Sequence, residues 1–411
     1  MKQITITSPR KIQVSVSLPA SKSICNRALI INALTQDCLP LKNLSDCDDT
    51  QVMQTALSAL QPVIDIKAAG TAMRFLSAFL AVSEGTHIIT GTQRMQQRPI
   101  GILVNALRSL GADITYIGKE GFPPLRITGK NLPNKEVTLS GSVSSQYISA
   151  LLMIGPTLTN GLTLTLTDEI ISRPYIDLTL KLMSDFGAKV KWINDHQLKV
   201  EPHPYCPPAY TIENDWSAAS YWYEICALSD DAIIQLPGLF PNSPQGDSIV
   251  AELFSVLGVE SRIEKQVLTL HKTAKKANRL EYNFINQPDL AQTFVVTCAL
   301  LNIPFHFNGL QSLKIKETDR ITALIKEMKK LGYVLTETNG CSLSWNGERC
   351  TPDANPCITT YEDHRMAMAF APACFIYKNL QVNDPDVVNK SYPQYWQHLI
   401  NAGFHIKEGN K

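Results

Sequence analysis

The chain has 411 residues, with 38 Lys and Arg against 37 Asp and Glu and 44% apolar residues, so its formal charge is +1 with His neutral. That length suits two or three domains, each able to bury its own core. A balance so near zero argues against nucleic-acid and polybasic membrane proteins, which need a sustained cationic surface, so any cationic site has to be local. The first residues, MKQITITSPRKIQVSVSLPASK, alternate apolar and polar and lack the apolar core of a signal peptide. No stretch reaches the ~18 uninterrupted apolar residues that a membrane span needs. The ten Cys, at 25, 38, 47, 206, 226, 298, 341, 350, 357 and 374, form no CxxC pair, and several sit in apolar runs. Buried thiols in a reducing cytosol fit that pattern better than disulfides or zinc. The expectation is a cytoplasmic protein with no metal and no membrane or nucleic-acid partner.

In chain order, the alternating start gives way to a helix predicted over SKSICNRALIINAL (21–34), followed by GTAMRFLSAFLAV (70–82), SSQYISALLMI (144–154), WSAASYWYEICAL (216–228), DLAQTFVVTCALL (289–301), KETDRITALIKEM (316–328) and EDHRMAMAFAPACF (362–375). Each opens on polar residues and runs into an apolar stretch, which is a capping signature. A second pattern is interleaved with these helices. A helical stretch ending in Gly runs into an alternating strand in ALRSLGADITYI, LMSDFGAKVKWI, LFSVLGVESRIE, MKKLGYVLTE and LINAGFHIK, with the glycines at 111, 187, 258, 332 and 403 and separations of 76, 71, 74 and 71. Gly after a last helical turn is the expected stop, and alternation is the strand period. One or two copies would be ordinary; five at near-constant spacing indicate structural repetition. A sixth copy, ALSALQPVIDIK, has Gln61 at the equivalent place, only 111 − 61 = 50 residues before Gly111, so one unit is expected to be short by about twenty residues. Together the patterns give an α/β (α+β) chain of β-α-β-α-β-β units, about three per domain. The Pro-rich stretch 201–208 is the favoured linker, and Leu18-Pro19-Ala20 is a second possible crossing.

Several helix starts, where unpaired N–H groups favour anions, also carry cations. Ser21-Lys22-Ser23-Ile24-Cys25-Asn26-Arg27 sets Lys22 and Arg27 beside two hydroxyls, although solvated surface charges would look the same. Gly70 lets an anion approach the backbone ahead of Arg74. Arg94 and Arg98 lie next to Pro99, and an Arg fork suits carboxylate or phosphate; an exposed loop is the plain alternative. Ser142, Ser144, Ser145 and Gln146 offer more donors than one cap needs. Lys316 and Arg320, four apart, share a face if the helix starts there, with Glu317 about 100° away. Cations at a helix start are unfavourable without a compensating anion, so this is more than a surface ladder. His364 and Arg365 enter a nearly all-apolar helix, which is costly unless they face a polar cavity. Asp289 and Lys390 complete the set. P-loop, HExxH, GxSxG and Rossmann motifs are absent from the sequence.

LPASKSICNRALI, AAGTAMRFL, RMQQRPIG, GSVSSQYISALLM, ISRPYIDLTL, NSPQGDS, PDLAQTF, LKIKETDR, YEDHRMAMAF and NKSYPQYW occur in an order, and over a length, that resembles the 5-enolpyruvylshikimate-3-phosphate synthases of the enolpyruvyl transferase family. The resemblance implies a two-domain inside-out α/β barrel, each domain having three units about a pseudo-threefold axis and the two closing on substrates held between them. The expected domains are 1–20 with 213–411, carrying Asp289, Lys316, Arg365 and Lys390, and 21–212, carrying most of the shikimate 3-phosphate site. The phosphoenolpyruvate contacts implied are Lys22, Gly70, Arg98, Gln146, Arg320, Arg365 and Lys390. Those to shikimate 3-phosphate are Lys22, Ser23, Arg27, Ser144, Ser145, Gln146, Ser172, Tyr175, Asp289, Ser312 and Lys316. The catalytic set is Lys22, Asp289, Lys316 and Glu317: Asp289 takes the proton of the 5-hydroxyl, Lys316 holds the geometry, and Glu317 delivers and then removes a methyl proton. Lys22, Arg98 and Arg365 bear the leaving phosphate's charge. Neither a cofactor nor a metal is implied, and a monomer is expected.

Three departures stand out. Ala68 and Phe75 replace the Asn and Pro usual around the GTAMR segment, and Ser312 replaces an Asn ahead of KETDR. The roughly twenty-residue deficit before Gly70 lies in the same unit that the repeat spacing marks as short, and it predicts altered phosphoenolpyruvate binding in an active enzyme. The rivals are a UDP-N-acetylglucosamine enolpyruvyl transferase, whose characteristic loop Cys has no clear counterpart near Arg98, and a non-catalytic anion-binding homologue.

Overall fold

The computed structural model describes residues 2–35, 39–206 and 208–410. Cys38 and Pro207 therefore lie outside the described residues. The chain forms two compact units, a terminal unit of Met1–Pro19 with Glu213–Lys411 and an inserted unit of Ala20–Ile212. The Pro-rich stretch is not the crossing point. Tyr205 is buried, with its hydroxyl donating to the Met153 carbonyl, and Cys206 N–H donates to the Phe186 carbonyl, so this coil packs inside the inserted unit.

The terminal unit has three four-stranded sheets of one design: a parallel pair followed by two antiparallel pairings. In one of them Leu280–Asn283 runs parallel to Phe305–Asn308, which pairs antiparallel with Ser342–Trp345, itself antiparallel to Thr336–Thr338. The inserted unit repeats that design twice, in Val63–Asp65 with Thr86–Thr90 and in Glu136–Ser140 with Leu162–Thr167, each completed by an antiparallel hairpin. Among the described residues, its third sheet has two strands, Leu41–Lys42 and Tyr210–Thr211. The missing pair of strands falls where the repeat spacing came up about twenty residues short: the Asp48–Ser58 helix leads straight to Val63–Asp65, which belongs to the next sheet.

All five repeat glycines are left-handed, with φ from 83° to 105°. At Gly111, the residue closing the Gly101–Leu110 helix, this lets its N–H and that of Ala112 cap the last turn.

Each unit places apolar helices inside and amphipathic ones outside. Trp216–Leu228, Ala291–Leu300 and His364–Phe370 are buried almost residue for residue, as are Gly70–Val82 and Ser145–Ile154. A helix that is apolar all round has to sit within a core. Every fully buried Phe or Leu contributes about 1.5–3 kcal/mol, so side chains such as Phe294, in ring contact with Phe254 and Phe284, fix these helices firmly. Buried helices bring their unpaired N-terminal N–H groups with them, and the polar residues at those starts have to find partners.

Candidate active site

In the terminal unit those starts converge. Asp289 lies in the Pro288–Leu290 turn ahead of Ala291–Leu300, and Arg365 in the first turn of His364–Phe370. Arg320 opens Arg320–Lys330, and Lys390 ends the Pro385–Lys390 turn. The Asp289 carboxylate receives Arg365 at 2.9 Å, Arg320 at 3.2 Å and Lys316 at 3.7 Å. Glu317 is held between Arg320 at 3.0 Å and Lys390 at 2.9 Å. Arg320, 2% exposed in its side chain, also sends Nε to Asp363 at 2.7 Å, while Asp363 caps its own helix by accepting the Arg365 N–H at 2.9 Å. Arg365 Nη1 donates to the Tyr221 hydroxyl and to the Asp289 carbonyl, each at 3.3 Å. Ser312 sits in the Gln311–Ile315 turn that leads into Lys316.

The helix predicted from Lys316 begins instead at Arg320. Lys316 is extended, and Asp319 is the N-cap, its carboxylate accepting the Thr322 N–H. Lys316 and Arg320 therefore do not share a helix face; both meet at Asp289 because 316–319 is a loop. The anion that a cationic helix start demands is supplied by Asp289, Glu317 and Asp363.

Charge sets the chemistry of this cluster. Burial pushes the Asp289 carboxyl up, but Arg365, Lys316 and Arg320 outweigh it and hold the group well below the usual carboxylate range. Burial lowers Lys316, partly opposed by Asp289. Asp247, buried in the Gly246–Ile249 turn, accepts from the Ser217 hydroxyl through one oxygen, while its Oδ1 has no hydrogen-bond partner among the described residues. Burial, then the Asp289 charge, raise its carboxyl to about 7. A folded-state value above the ordinary carboxylate value means that Asp247 favours folding below about pH 4 and loses that contribution as pH climbs through 7. Asp247→Asn should therefore melt a few degrees above the parent near pH 8 and about level with it near pH 4, in paired thermal scans. A constant offset between the two would contradict the assignment.

The inserted unit gathers a second set on four helix starts. Lys22, first in Lys22–Ala33, reaches Asp49 at 3.1 Å. Arg27, 2% exposed, donates to Thr179 Oγ1 at 2.7 Å, the Ser23 carbonyl at 2.9 Å, Ser149 Oγ at 3.1 Å and the Tyr175 carbonyl at 3.3 Å. Ser144 caps Ser145–Ile154, and Gln146 donates to the Thr71 hydroxyl at 3.2 Å. Ser172 precedes Arg173–Asp185 with a left-handed φ of 54°. Arg98 packs on Gly70: a Cβ there would lie 2.6 Å from its Nη1. Arg74 donates to the Gly70 and Pro99 carbonyls at 3.1 and 3.2 Å, while the Tyr147 hydroxyl also donates to Pro99, pinning the turn that carries Arg98.

The sequence-predicted residues thus fall into two groups within their own units: Asp289, Lys316, Glu317, Arg320, Arg365 and Lys390 in one; Lys22, Ser23, Arg27, Gly70, Arg98, Ser144, Ser145, Gln146, Ser172 and Tyr175 in the other. Sequence reasoning assigned no role to Asp363, Asp49, Tyr221 or Asp247. Asp363 stood in view as a cap beside Arg365, Asp49 as one of two acids opening a helix, and Asp247 within NSPQGDS; Tyr221 carried no local signal.

The family described as EPSP synthase (3-phosphoshikimate 1-carboxyvinyltransferase) matches residues 6–65 and 60–399, its break falling at the shortened unit. A 3-phosphoshikimate 1-carboxyvinyltransferase of Bacteroides fragilis (strain YCH46) is 61% identical over 406 residues, 99% of each chain. One of Vibrio campbellii is 34% identical over 428 aligned positions, 97% of this chain and 99% of that one. An EPSP synthase structure from Acinetobacter baumannii superposes with a TM-score of 0.78 at 19% identity, covering 100% of both chains, which bears on the fold alone. With a match across nearly its whole length and relatives this similar, the chain belongs to the EPSP synthase family.

Proposed function

We propose that the chain transfers the enolpyruvyl group of phosphoenolpyruvate to the 5-hydroxyl of shikimate 3-phosphate, releasing inorganic phosphate in the shikimate route to chorismate and the aromatic amino acids. The observation that carries this reading is the Asp289 carboxylate with three cations on it, beside a second carboxylate, Glu317, that shares Arg320 with it and adds Lys390. An acid that deeply stabilised is a weak base. A phosphate or carboxylate arriving from substrate competes for Arg365 and Lys316, and as they turn toward it Asp289 regains basicity. Proton abstraction is then coupled to occupancy.

The steps balance as follows. Glu317, as the acid, protonates the methylene carbon of phosphoenolpyruvate; the 5-hydroxyl oxygen bonds to the neighbouring carbon while Asp289 takes its proton. In the tetrahedral adduct the C–O bond to phosphate breaks, Asp289 passes its proton to the departing phosphate, Glu317 recovers a proton from the new methyl group, and the double bond re-forms. Lys22, Arg98 and Arg365 offset the leaving phosphate's charge. Shikimate 3-phosphate is assigned chiefly to the inserted unit, on Ser23, Arg27, Ser144, Ser145, Ser172 and Tyr175, with Asp289, Ser312 and Lys316 from the terminal unit. Phosphoenolpyruvate is assigned to Lys22, Gly70, Arg98 and Gln146 with Arg320, Arg365 and Lys390. A monomer acting in the cytoplasm belongs to the same proposal; five buried free thiols, Cys25, Cys47, Cys226, Cys298 and Cys374, support a reducing compartment.

Acceptor choice tests the reading: offered shikimate 3-phosphate and UDP-N-acetylglucosamine together, the protein should convert only the first, and conversion of the sugar nucleotide alone would overturn it. The Gly70 contact yields a narrower prediction. Gly70→Ala places a methyl group where the Arg98 guanidinium lies, so Arg98 must move. Loss of a charge-assisted hydrogen bond should raise KM for phosphoenolpyruvate about 10–100-fold and leave shikimate 3-phosphate affinity within about twofold, read from steady-state kinetics and calorimetric titration.

A further inference from the structure

The two units treat their buried arginines in opposite ways. Arg320 and Arg365 face carboxylates. Among the described residues, Arg27 has neutral partners: hydroxyls of Thr179 and Ser149, and carbonyls of Ser23 and Tyr175. Burial pushes its guanidinium down to about 10, so it stays charged at neutral pH. Its Cζ lies over the fully buried ring of Phe75, 5.3 Å from the ring centroid.

We propose that Phe75 is a positioning residue for shikimate 3-phosphate, its ring face holding the Arg27 guanidinium charged and in plane for the substrate's anionic group. The inference rests on the function proposed above. Desolvated cation–π contacts supply attraction without cancelling the charge. A carboxylate in that position would compete with the incoming anion, as Asp289 does for Arg365; an aromatic face does not. Phe75 holds its place through an unbroken helix, Gly70–Val82, whose first turn carries Gly70 and Thr71. A proline at 75 would remove the N–H directed at the Thr71 carbonyl and put no ring over Arg27.

The test compares Phe75→Leu, which removes the ring, with Phe75→Tyr, which keeps it, through kcat, both KM values, calorimetric titration of shikimate 3-phosphate and melting temperature. The ring's loss should weaken shikimate 3-phosphate binding about tenfold in Phe75→Leu, with kcat and the KM for phosphoenolpyruvate within about twofold of the parent. Phe75→Tyr should bind like the parent even where its buried hydroxyl lowers the melting temperature. Unchanged binding in Phe75→Leu overturns the inference, as does a loss in both variants that tracks melting temperature or spreads equally over kcat and both KM values. Should Phe75→Leu fail to fold, Phe75→Met, ringless and close in volume, carries the comparison. A parent that does not bind shikimate 3-phosphate overturns the functional reading itself, whereas a parent that binds it beside an unaffected Phe75→Leu overturns only the role of Phe75.

Discussion

Asp289→Asn is expected to lower kcat by about a thousandfold, with both KM values within a few-fold of the parent. A positioned general base contributes about 10²–10⁴ in rate, and an amide cannot take the hydroxyl proton. The substitution keeps the shape of the site and an oxygen for Arg365 at the position now 2.9 Å away, so substrate binding and fold should survive. A second consequence follows from charge. Asp289 is one cause of the raised Asp247 carboxyl, so the variant should titrate Asp247 at a lower pH than the parent, visible as a displaced pH dependence of melting. Turnover within threefold of the parent would remove Asp289 from the chemistry and leave it as a counter-ion.

Arg320→Met should be the most destabilising single change in the terminal unit. It strands Asp363, whose side chain is fully buried, and takes one cation each from Asp289 and Glu317. Breaking a buried ion pair from one side costs about 3–5 kcal/mol, because the remaining charge has no solvent to turn to. For a unit of this size that is a fall in melting temperature of roughly 10 °C. Arg320→Lys should recover little of it, since one ammonium cannot span three carboxylates that now share a planar fork. Equal melting of Arg320→Met and the parent at neutral pH would show that the network is solvated and structurally incidental.

The contrast between these residues explains what could be read in advance. The repeat frame was written in local terms: a left-handed glycine after each of five helices, and capping residues ahead of apolar runs that form the Gly70–Val82 and Trp216–Leu228 helices with the expected bounds. The two-stranded Leu41–Lys42 sheet follows from spacing alone, because a unit missing about twenty residues has no chain left for two strands. The start of the Arg320 helix was misplaced because Lys316-Glu317-Thr318 also reads as a polar helix entry; what stops it is the Asp319 cap and the pull of Asp289 on Lys316, a contact 27 residues away in sequence. The Pro-rich stretch has a linker's composition but packs through Tyr205, and one aromatic residue in a coil does not announce its pocket. Cations at helix starts were legible as an electrostatic debt. Their creditors were not, because Arg320 meets Asp363 across 43 residues and Lys390 meets Glu317 across 73.

In the proposed reaction phosphoenolpyruvate gives up phosphate only as its carbon skeleton passes to shikimate 3-phosphate, through an adduct whose methyl group exchanges hydrogen with the protein. Phosphate release followed in D₂O, with the substrates added singly and together, tests it most directly. Phosphoenolpyruvate alone should release no phosphate. With both substrates present, phosphate and enolpyruvyl product should form in equal amounts, with deuterium in the product's methylene group. Release without acceptor, no release with both, or a product methylene free of deuterium would contradict it.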